Sequence, residues 1–165
     1  MRLVQETDPI LKIKAQYFDF ENPQVDPIRL VSDMRSVMMN ERGIGLAAPQ
    51  VGISLRMFVM NATDGRQFAC FNPEVLSVST ETERSVEGCL SFPNLWLKVN
   101  RPISVNVSFF DEFGVLMNET FDNLNARCYL HEIDHLDGIC FVDMVGPLSL
   151  QKARKKQKNK NLKDT

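Results

Sequence analysis

The amino-acid sequence predicts an α+β fold built mainly from strands that pair with their neighbours in the chain. Residues 103–109 alternate between apolar and polar side chains, which is the two-residue period of a half-buried strand. Residues 27–42 carry the apolar stripe of a helix, and residues 124–137 fit a second helix stopped by Gly138. Few helices among neighbouring strands are typical of the α+β class.

The first helix has clear end signals. Asp26 can cap its N-terminus, Pro27 suits the first helical position, and Gly43 suits the stop. A glycine-rich turn is expected to follow at residues 43–52. The apolar stripe of the helix consists of Leu30, Val31, Met34, Val37 and Met38.

The middle of the chain predicts short strands. Apolar runs at 55–60 and 67–71 favour strands, whereas the polar residues 72–88 favour a loop. A turn at 111–114 predicts that residues 115–121 return as the hairpin partner of the alternating strand.

Length and composition are those of a single soluble domain. The chain has 165 residues, 44% of them apolar and 24% charged, which excludes disordered, collagen-like and coiled-coil proteins. No run approaches the roughly 18 apolar residues of a membrane span. The first ten residues hold acids where a signal peptide needs an apolar run, so we expect a cytoplasmic protein without a membrane partner. In that setting the four cysteines are expected as core thiols or metal ligands.

The charge is distributed unevenly along the chain. Residues 151–165 hold seven of the 19 basic residues and one of the 21 acidic ones, so this segment has charge +6 and the remainder −8. We therefore predict a catalytic domain at 1–150 and a basic C-terminal tail at 151–165. An acidic body gives no reason to expect DNA as a partner.

One motif predicts a metal-binding site. His131 and His135 are four residues apart, just over one helical turn, so both imidazoles leave the same face and can bind one metal. Glu132 lies beside them, where it can take a proton from a water molecule. The alternative is a helix with two core histidines, but the chain has only two histidines and both belong to this motif.

The third ligand is less clear from the residues alone. No His or Glu follows the motif, as a zinc peptidase would require, which leaves Asp143 and the cysteines. Cys128 shares the histidine face but its short side chain does not reach the expected metal, and Cys140 falls on the opposite face. Cys70 belongs to an apolar run that predicts a buried strand. Cys89 is the preferred ligand, and Asp143 remains an alternative.

Three segments together resemble the signature motifs of the peptide deformylases. They are GIGLAAPQ at 43–50, EGCLS at 87–91 and HEIDHLDG at 131–138, in the order and at the spacings of that family. The likeness extends from Asp8 to Leu148. Leu130 departs from it, because many bacterial members have Gln there; we expect this to alter packing or specificity and not the metal.

The resemblance implies a fold, a metal centre and a reaction. The fold is a set of antiparallel β-sheets wrapped around a central helix that carries the HExxH motif. The ligands are Cys89, His131 and His135, which hold one divalent ion: iron(II) natively, with nickel, cobalt or zinc as substitutes. The reaction removes the formyl group from the N-terminal formyl-methionine of nascent polypeptides and releases formate. The alternative is another small HExxH amidase or peptidase.

The resemblance also assigns roles around that centre. The Gln50 side-chain amide and the Leu90 backbone N–H are implied as donors to the oxyanion, while Glu132 acts as the proton acceptor. The expected substrate-binding residues are Gly43, Ile44, Gly45, Gly88, Leu124 and Cys128. From the residues alone, the glycines could equally close the first helix and the apolar side chains could be core.

Two further features involve residues that have no role assigned above. Glu87 and Arg101 are expected to form a buried pair that braces the Cys89 segment. The tail could contact ribosomal RNA, as the C-terminal helix of some bacterial deformylases does, or it could be a solvated helix end. Its basic residues are Lys152, Arg154, Lys155, Lys156, Lys158, Lys160 and Lys163.

Overall fold

The computed structural model describes residues 1–161 and contains, within them, seven β-strands and three α-helices. The strands are β1 (Gly45–Ala47), β2 (Met57–Asn61), β3 (Gln67–Val78), β4 (Thr82–Cys89), β5 (Phe92–Pro102), β6 (Ser104–Phe110) and β7 (Leu116–Asp122). The helices are α1 (Pro27–Asn40), α2 (Asn123–Leu136) and α3 (Pro147–Asn161). This is the predicted α+β class.

The strands form two antiparallel sheets. The larger has the order β1-β2-β3-β6-β7, and β4 pairs with β5 in a separate two-stranded sheet. The predicted hairpin is confirmed, because β6 and β7 pair from Ser104 opposite Asp122 to Phe110 opposite Leu116. The alternating residues Val105, Val107 and Phe109 are all buried.

Helix α2 lies between the two sheets. Its Tyr129 is fully buried against Phe58 and Phe121 of the large sheet, with ring centroids 5.0 and 5.4 Å apart. On the other side, the Arg127 guanidinium donates to the carbonyls of Glu83 on β4 (2.7 Å) and Val99 on β5 (3.0 Å). Residues two apart on a helix point about 200° from each other. The packing of Tyr129 therefore directs residue 131 toward the small sheet.

The start of α1 agrees with its prediction, but its end does not. The Asp26 carboxylate accepts from the N–H groups of Ile28 (3.0 Å) and Arg29 (3.3 Å). The helix ends at Asn40, and Arg42, with φ of 57°, takes the left-handed conformation that was expected of Gly43. Gly43 extends from that turn toward the site.

The predicted loop at 72–88 is wrong. Strand β3 continues to Val78, and β4 begins at Thr82. One face of β4 is exposed and accepts polar side chains. Its sequence therefore lacks the run of apolar residues from which a strand is usually predicted. Two register shifts on β3, before Glu74 and after Val75, further disturb its alternation.

Helix α3 starts before residue 150 and continues through it. Gln157 is buried and donates to the Pro93 carbonyl (2.8 Å), while Arg154 pairs with Glu6 (2.7 Å) and lies over the Phe92 ring. The first turns of the basic segment are thus packed on the body of the protein. Lys163 lies outside the described residues. None of the helices in residues 1–161 combines the length and apolar character needed to span a membrane.

Candidate active site

Three ligand-type side chains meet where β4 ends against α2. The ligand atoms of Cys89, His131 and His135 lie within 4.8 Å of one another, and Cys89 Sγ is 3.2 Å from His135 Nε2. In residues 1–161 no other three side chains of this type are grouped closely enough to share a metal ion. Asp143, the alternative ligand, instead accepts from the Cys140 N–H (2.9 Å) and pairs with Lys12.

Helical geometry places the two imidazoles together, and a buried carboxylate orients one of them. Glu87 Oε2 lies 3.1 Å from His131 Nδ1, which leaves Nε2 of that ring for a ligand. Metal-binding histidines usually carry such a partner on their other nitrogen. The Nδ1 atom of His135 is buried and has no hydrogen-bond partner within the described residues.

The expected pair of Glu87 and Arg101 is confirmed and is part of a larger network. Arg101 donates to Glu87 from Nε (2.6 Å) and Nη2 (3.0 Å), and its Nη1 donates to Asp134 (2.8 Å). Burial alone would raise the pKa of Glu87, but hydrogen bonds from His131 and Arg101 outweigh it and lower the pKa to about 2. Glu87 is therefore a carboxylate at neutral pH.

Sequence reasoning missed Arg127, the second guanidinium that donates to Glu87. Its Nη1 donates to Glu87 Oε1 (2.7 Å), and the residue is buried. Arg127 precedes His131 by four residues, so the helical spacing that pairs the histidines could also have placed it on their face. The small sheet and α2 are thus joined by charge-assisted hydrogen bonds directly behind the histidine.

Glu132 is buried at the inner end of the cleft. Burial is the main reason that the pKa of this carboxyl is raised to about 7, although the positive charges of His131 and Arg101 oppose the shift. A general base works best with a pKa near the working pH. A Cβ built at Gly45 would overlap the Glu132 carboxylate and lie 2.7 Å from the Cys128 sulfur, so only glycine fits beside this carboxylate.

Gln50 is held in a fixed orientation beside the three candidate ligands. Its Oε1 accepts from the Ala47 N–H (2.9 Å), which turns the amide nitrogen toward the site, 3.3 Å from Cys89 Sγ. The side chain is buried in the short turn that follows β1. Leu90 follows Cys89, and its side chain packs so closely on Gly43 that a Cβ there would lie 2.7 Å from Leu90 Cδ1.

These groups open into a cleft of about 530 Å³. All the residues expected to bind substrate line it: Gly43, Ile44, Gly45, Gly88, Leu124 and Cys128. Ile44 and Leu124 are about half exposed, at 47% and 48%, whereas Cys128 is buried. Val86 and Trp96 also line the cleft, and sequence reasoning did not single them out.

The donors suit a divalent cation. Burial alone would lower the pKa of His131, but Cys89 and Glu87 raise it to about 10, so its surroundings favour positive charge. Burial, followed by the charges of His131 and Arg101, lowers the pKa of His135 well below its usual range, so that ring is neutral and ready to donate a lone pair. One sulfur and two imidazole nitrogens are ligands for iron, nickel, cobalt and zinc.

The chain is similar to known peptide deformylases. The family model described as polypeptide deformylase matches residues 1–151. A peptide deformylase of Prochlorococcus marinus strain NATL1A is 44% identical over 141 residues, which cover 82% of this chain and 68% of that protein. One from Pseudothermotoga lettingae is 41% identical and covers 84% and 78% of the two chains.

Solved structures agree with the sequence comparisons. A peptide deformylase from Legionella pneumophila superposes with a TM-score of 0.87 at 36% identity, covering 98% of this chain and 96% of that one. The Synechococcus elongatus enzyme, solved in complex with actinonin, gives 0.86 at 37% identity and covers 94% and 85%. Because the family match and the shared fold both extend over nearly the whole chain, this protein belongs to the polypeptide deformylases, metal-dependent hydrolases that remove the formyl group from N-terminal formyl-methionine.

Proposed function

We propose that the chain hydrolyses the formamide of N-formyl-methionyl peptides at the cleft around Cys89, His131 and His135. The observation that carries this proposal is the convergence of these three ligand atoms within 4.8 Å. The buried carboxyl of Glu132 and the fixed amide of Gln50 line the same cleft.

Cys89, His131 and His135 would hold one divalent ion and leave a position open for water or substrate. When bound, such an ion supplies Lewis acidity, which activates water and polarises a carbonyl. By resemblance to the family we take iron(II) as the native ion, with nickel, cobalt or zinc as substitutes. The positive charge would also lower the pKa of Glu132 and favour its carboxylate form.

Glu132 is the proton carrier in this scheme. Its carboxylate accepts the proton of the attacking water and then delivers it to the nitrogen of the departing amine, so the C–N bond breaks and formate leaves. Its burial keeps bulk water from competing for that proton. Without Glu132, the amine would have to leave as an unstable anion.

Gln50 and Leu90 would stabilise the charge that develops on the formyl oxygen. The Gln50 Nε2 group and the Leu90 backbone N–H are the two donors proposed for it. In comparable sites, each such donor lowers the barrier by about 3 kcal/mol. The hydrogen bond from Ala47 to Gln50 Oε1 keeps the amide from turning its oxygen toward the substrate.

The methionine would occupy the apolar part of the cleft. Ile44 and Leu124, each about half exposed, line it together with the buried Cys128. Gly45 begins β1, the terminal strand of the large sheet, and Gly43 lies two residues before it in the chain. The substrate backbone can therefore add to that edge as a further strand, with Gly88 on the opposite side of the cleft.

We also place the enzyme in the cytoplasm, where nascent formylated chains emerge from ribosomes. The five lysines on the solvent side of α3 offer a surface for ribosomal RNA: Lys152, Lys155, Lys156, Lys158 and Lys160. In this proposal residues 1–150 carry catalysis and 151–165 carry the contact. Loss of ribosome co-sedimentation on replacing these lysines with Gln supports the contact, and unchanged co-sedimentation refutes it.

One assay separates the proposed reaction from its alternatives. The nickel or iron enzyme is incubated with formyl-Met-Ala-Ser without oxygen, and formate and peptide products are measured for the parent and for Glu132→Ala. Formate release that depends on Glu132 supports the proposal. Cleavage at an internal peptide bond would identify a peptidase, and no turnover with metal bound would leave only a binding function.

A further inference from the structure

The first residues of the chain lie against the turn that carries Gln50. The Val4 N–H donates to the Gln50 backbone carbonyl (2.8 Å), and the Val4 side chain lies beside Gly52 at the end of the turn. Leu3 packs with a core cluster that includes Val51. The first residues of a domain are usually poorly ordered unless such contacts hold them. These contacts fix the N-terminal segment against the turn that follows β1.

The hydrogen bond from Val4 supplies a donor that the turn itself does not provide. Gln50 lies in a short 3-10 turn, Ala48–Val51. In a continued 3-10 turn the N–H of residue 53 would donate to the Gln50 carbonyl. The Ile53 N–H instead donates to the carbonyl of Ala48 (3.1 Å). Because an inward-facing carbonyl without a donor is unfavourable, the Val4 N–H stabilises this conformation of Gln50.

Gln50 is thereby held both by its side chain and by its backbone. Its Oε1 accepts from the Ala47 N–H (2.9 Å), and its backbone carbonyl accepts from the Val4 N–H (2.8 Å). The first bond sets the direction of the amide, and the second sets the position of the backbone that carries it. An oxyanion donor must be in place before the reaction, and a displacement of about 1 Å can lower the rate about 10²-fold.

We propose that Val4 is a positioning residue for catalysis, whose backbone N–H keeps the Gln50 amide where the oxyanion forms. This rests on the proposed function, because it takes Gln50 as a donor to that oxyanion. Val4 itself touches neither substrate nor metal in this scheme. Because the oxyanion develops only in the transition state, loss of the positioning should lower kcat and leave KM nearly unchanged.

The first experiment removes the donor with Val4→Pro, because proline has no backbone N–H. In the nickel enzyme acting on formyl-Met-Ala-Ser, we expect kcat to fall about tenfold, with KM within about twofold of the parent and the same nickel content. Val4→Ala keeps the N–H and should retain most of kcat. Arg2→Pro is the matched control, because it places a proline at an exposed residue of the same segment and should keep the parent kcat.

The second experiment separates positioning from a general loss of structure. If Val4 acts through Gln50, the double variant Val4→Pro/Gln50→Ala should have the kcat of Gln50→Ala, because the group being positioned is already gone. A further loss of about tenfold in the double variant would mean that Val4 acts elsewhere, and it would refute the inference. If Val4→Pro does not fold, deletion of residues 2–5 removes the donor without a proline and should give the same pattern.

The outcomes distinguish this inference from the proposed function. A parent kcat in Val4→Pro, or an equal loss in Val4→Ala, refutes positioning by the hydrogen bond and leaves the proposed hydrolysis intact. An unchanged kcat in Gln50→Ala refutes the inference together with the role of Gln50. No formate from the parent refutes both the inference and the proposed function.

Discussion

Replacing Glu87 with Gln tests how His131, a proposed metal ligand, is held. Glu87 accepts hydrogen bonds from Arg101 and Arg127 and orients His131 through Nδ1. The substitution keeps the shape of the side chain but removes its charge. Two buried guanidinium groups then lose the negative charge of Glu87, of which Arg101 keeps its pair with Asp134, and the His131 ring loses its anionic partner.

The magnitude follows from the burial of the network. The pKa of Glu87 falls from 4.5 to about 2 on folding, which corresponds to roughly 3 kcal/mol in favour of the charged form. Leaving one side of a buried ion pair uncompensated costs about 3–5 kcal/mol. We therefore expect Glu87→Gln to lower the free energy of unfolding by about 3 kcal/mol, or the Tm by about 6–12 °C for a domain of this size.

The sign of the pH dependence is also defined. Because the folded-state pKa of Glu87 is below its unfolded value, this stabilisation is fully present above pH 4.5 and is lost as the pH falls toward 2. Metal affinity should fall about 10–100-fold, as for other partners of ligand histidines. Urea unfolding of the parent and Glu87→Gln at pH 7 and pH 3, and competition with a chelator, measure the two effects.

Glu83→Gln is the matched control. Glu83 is on the same strand and 3.9 Å from Arg127, but its side chain is 63% exposed, so its ion pair contributes at most about 1 kcal/mol. Stability and metal affinity should be close to the parent in this variant. If Glu87→Gln were as stable as Glu83→Gln and bound nickel equally well, the role assigned to the Glu87 network would be wrong.

The other predictions concern catalysis, metal and the C-terminal helix. Glu132→Ala should retain nickel, measured by elemental analysis, and lose about 10²–10⁴-fold in formate release. Gln50→Ala should lower kcat about 10²–10³-fold, because one oxyanion donor is lost; an unchanged kcat would exclude that role. The iron form should lose activity in air faster than the nickel form, because iron(II) and its thiolate ligand oxidise; equal half-lives would contradict this. Deleting residues 158–165 should leave formyl-Met-Ala-Ser hydrolysis intact. Deleting residues 151–165 should leave that hydrolysis intact too, but it should lower the free energy of unfolding, measured in urea, by about 1–2 kcal/mol because the hydrogen bond of Gln157 is lost.

Features with a local physical cause could be predicted from the chain. The cap of α1 depends on Asp26 and the next three residues, and the β6–β7 hairpin depends on one alternating run and one turn. Strand β4 could not be recognised, because a two-stranded sheet with one face in water accepts polar residues that are typical of a loop. Hydrophobic patterns report burial, and β4 is a strand held by its pairing with β5.

The residues of the candidate active site also divide into those that could be predicted from the sequence and those that only the tertiary structure brings together. Two histidines four residues apart share a helix face in any α-helix, so the spacing of His131 and His135 predicts a metal-binding pair before any folding is known. Cys89 is more than 40 residues away, and its sulfur reaches that pair because α2 packs between the two sheets. The contacts of Arg127 with Glu87 and of Trp96 with Gly88 likewise join distant segments. A helical or strand period relates only near neighbours in the chain, whereas contacts between elements depend on how the whole core packs.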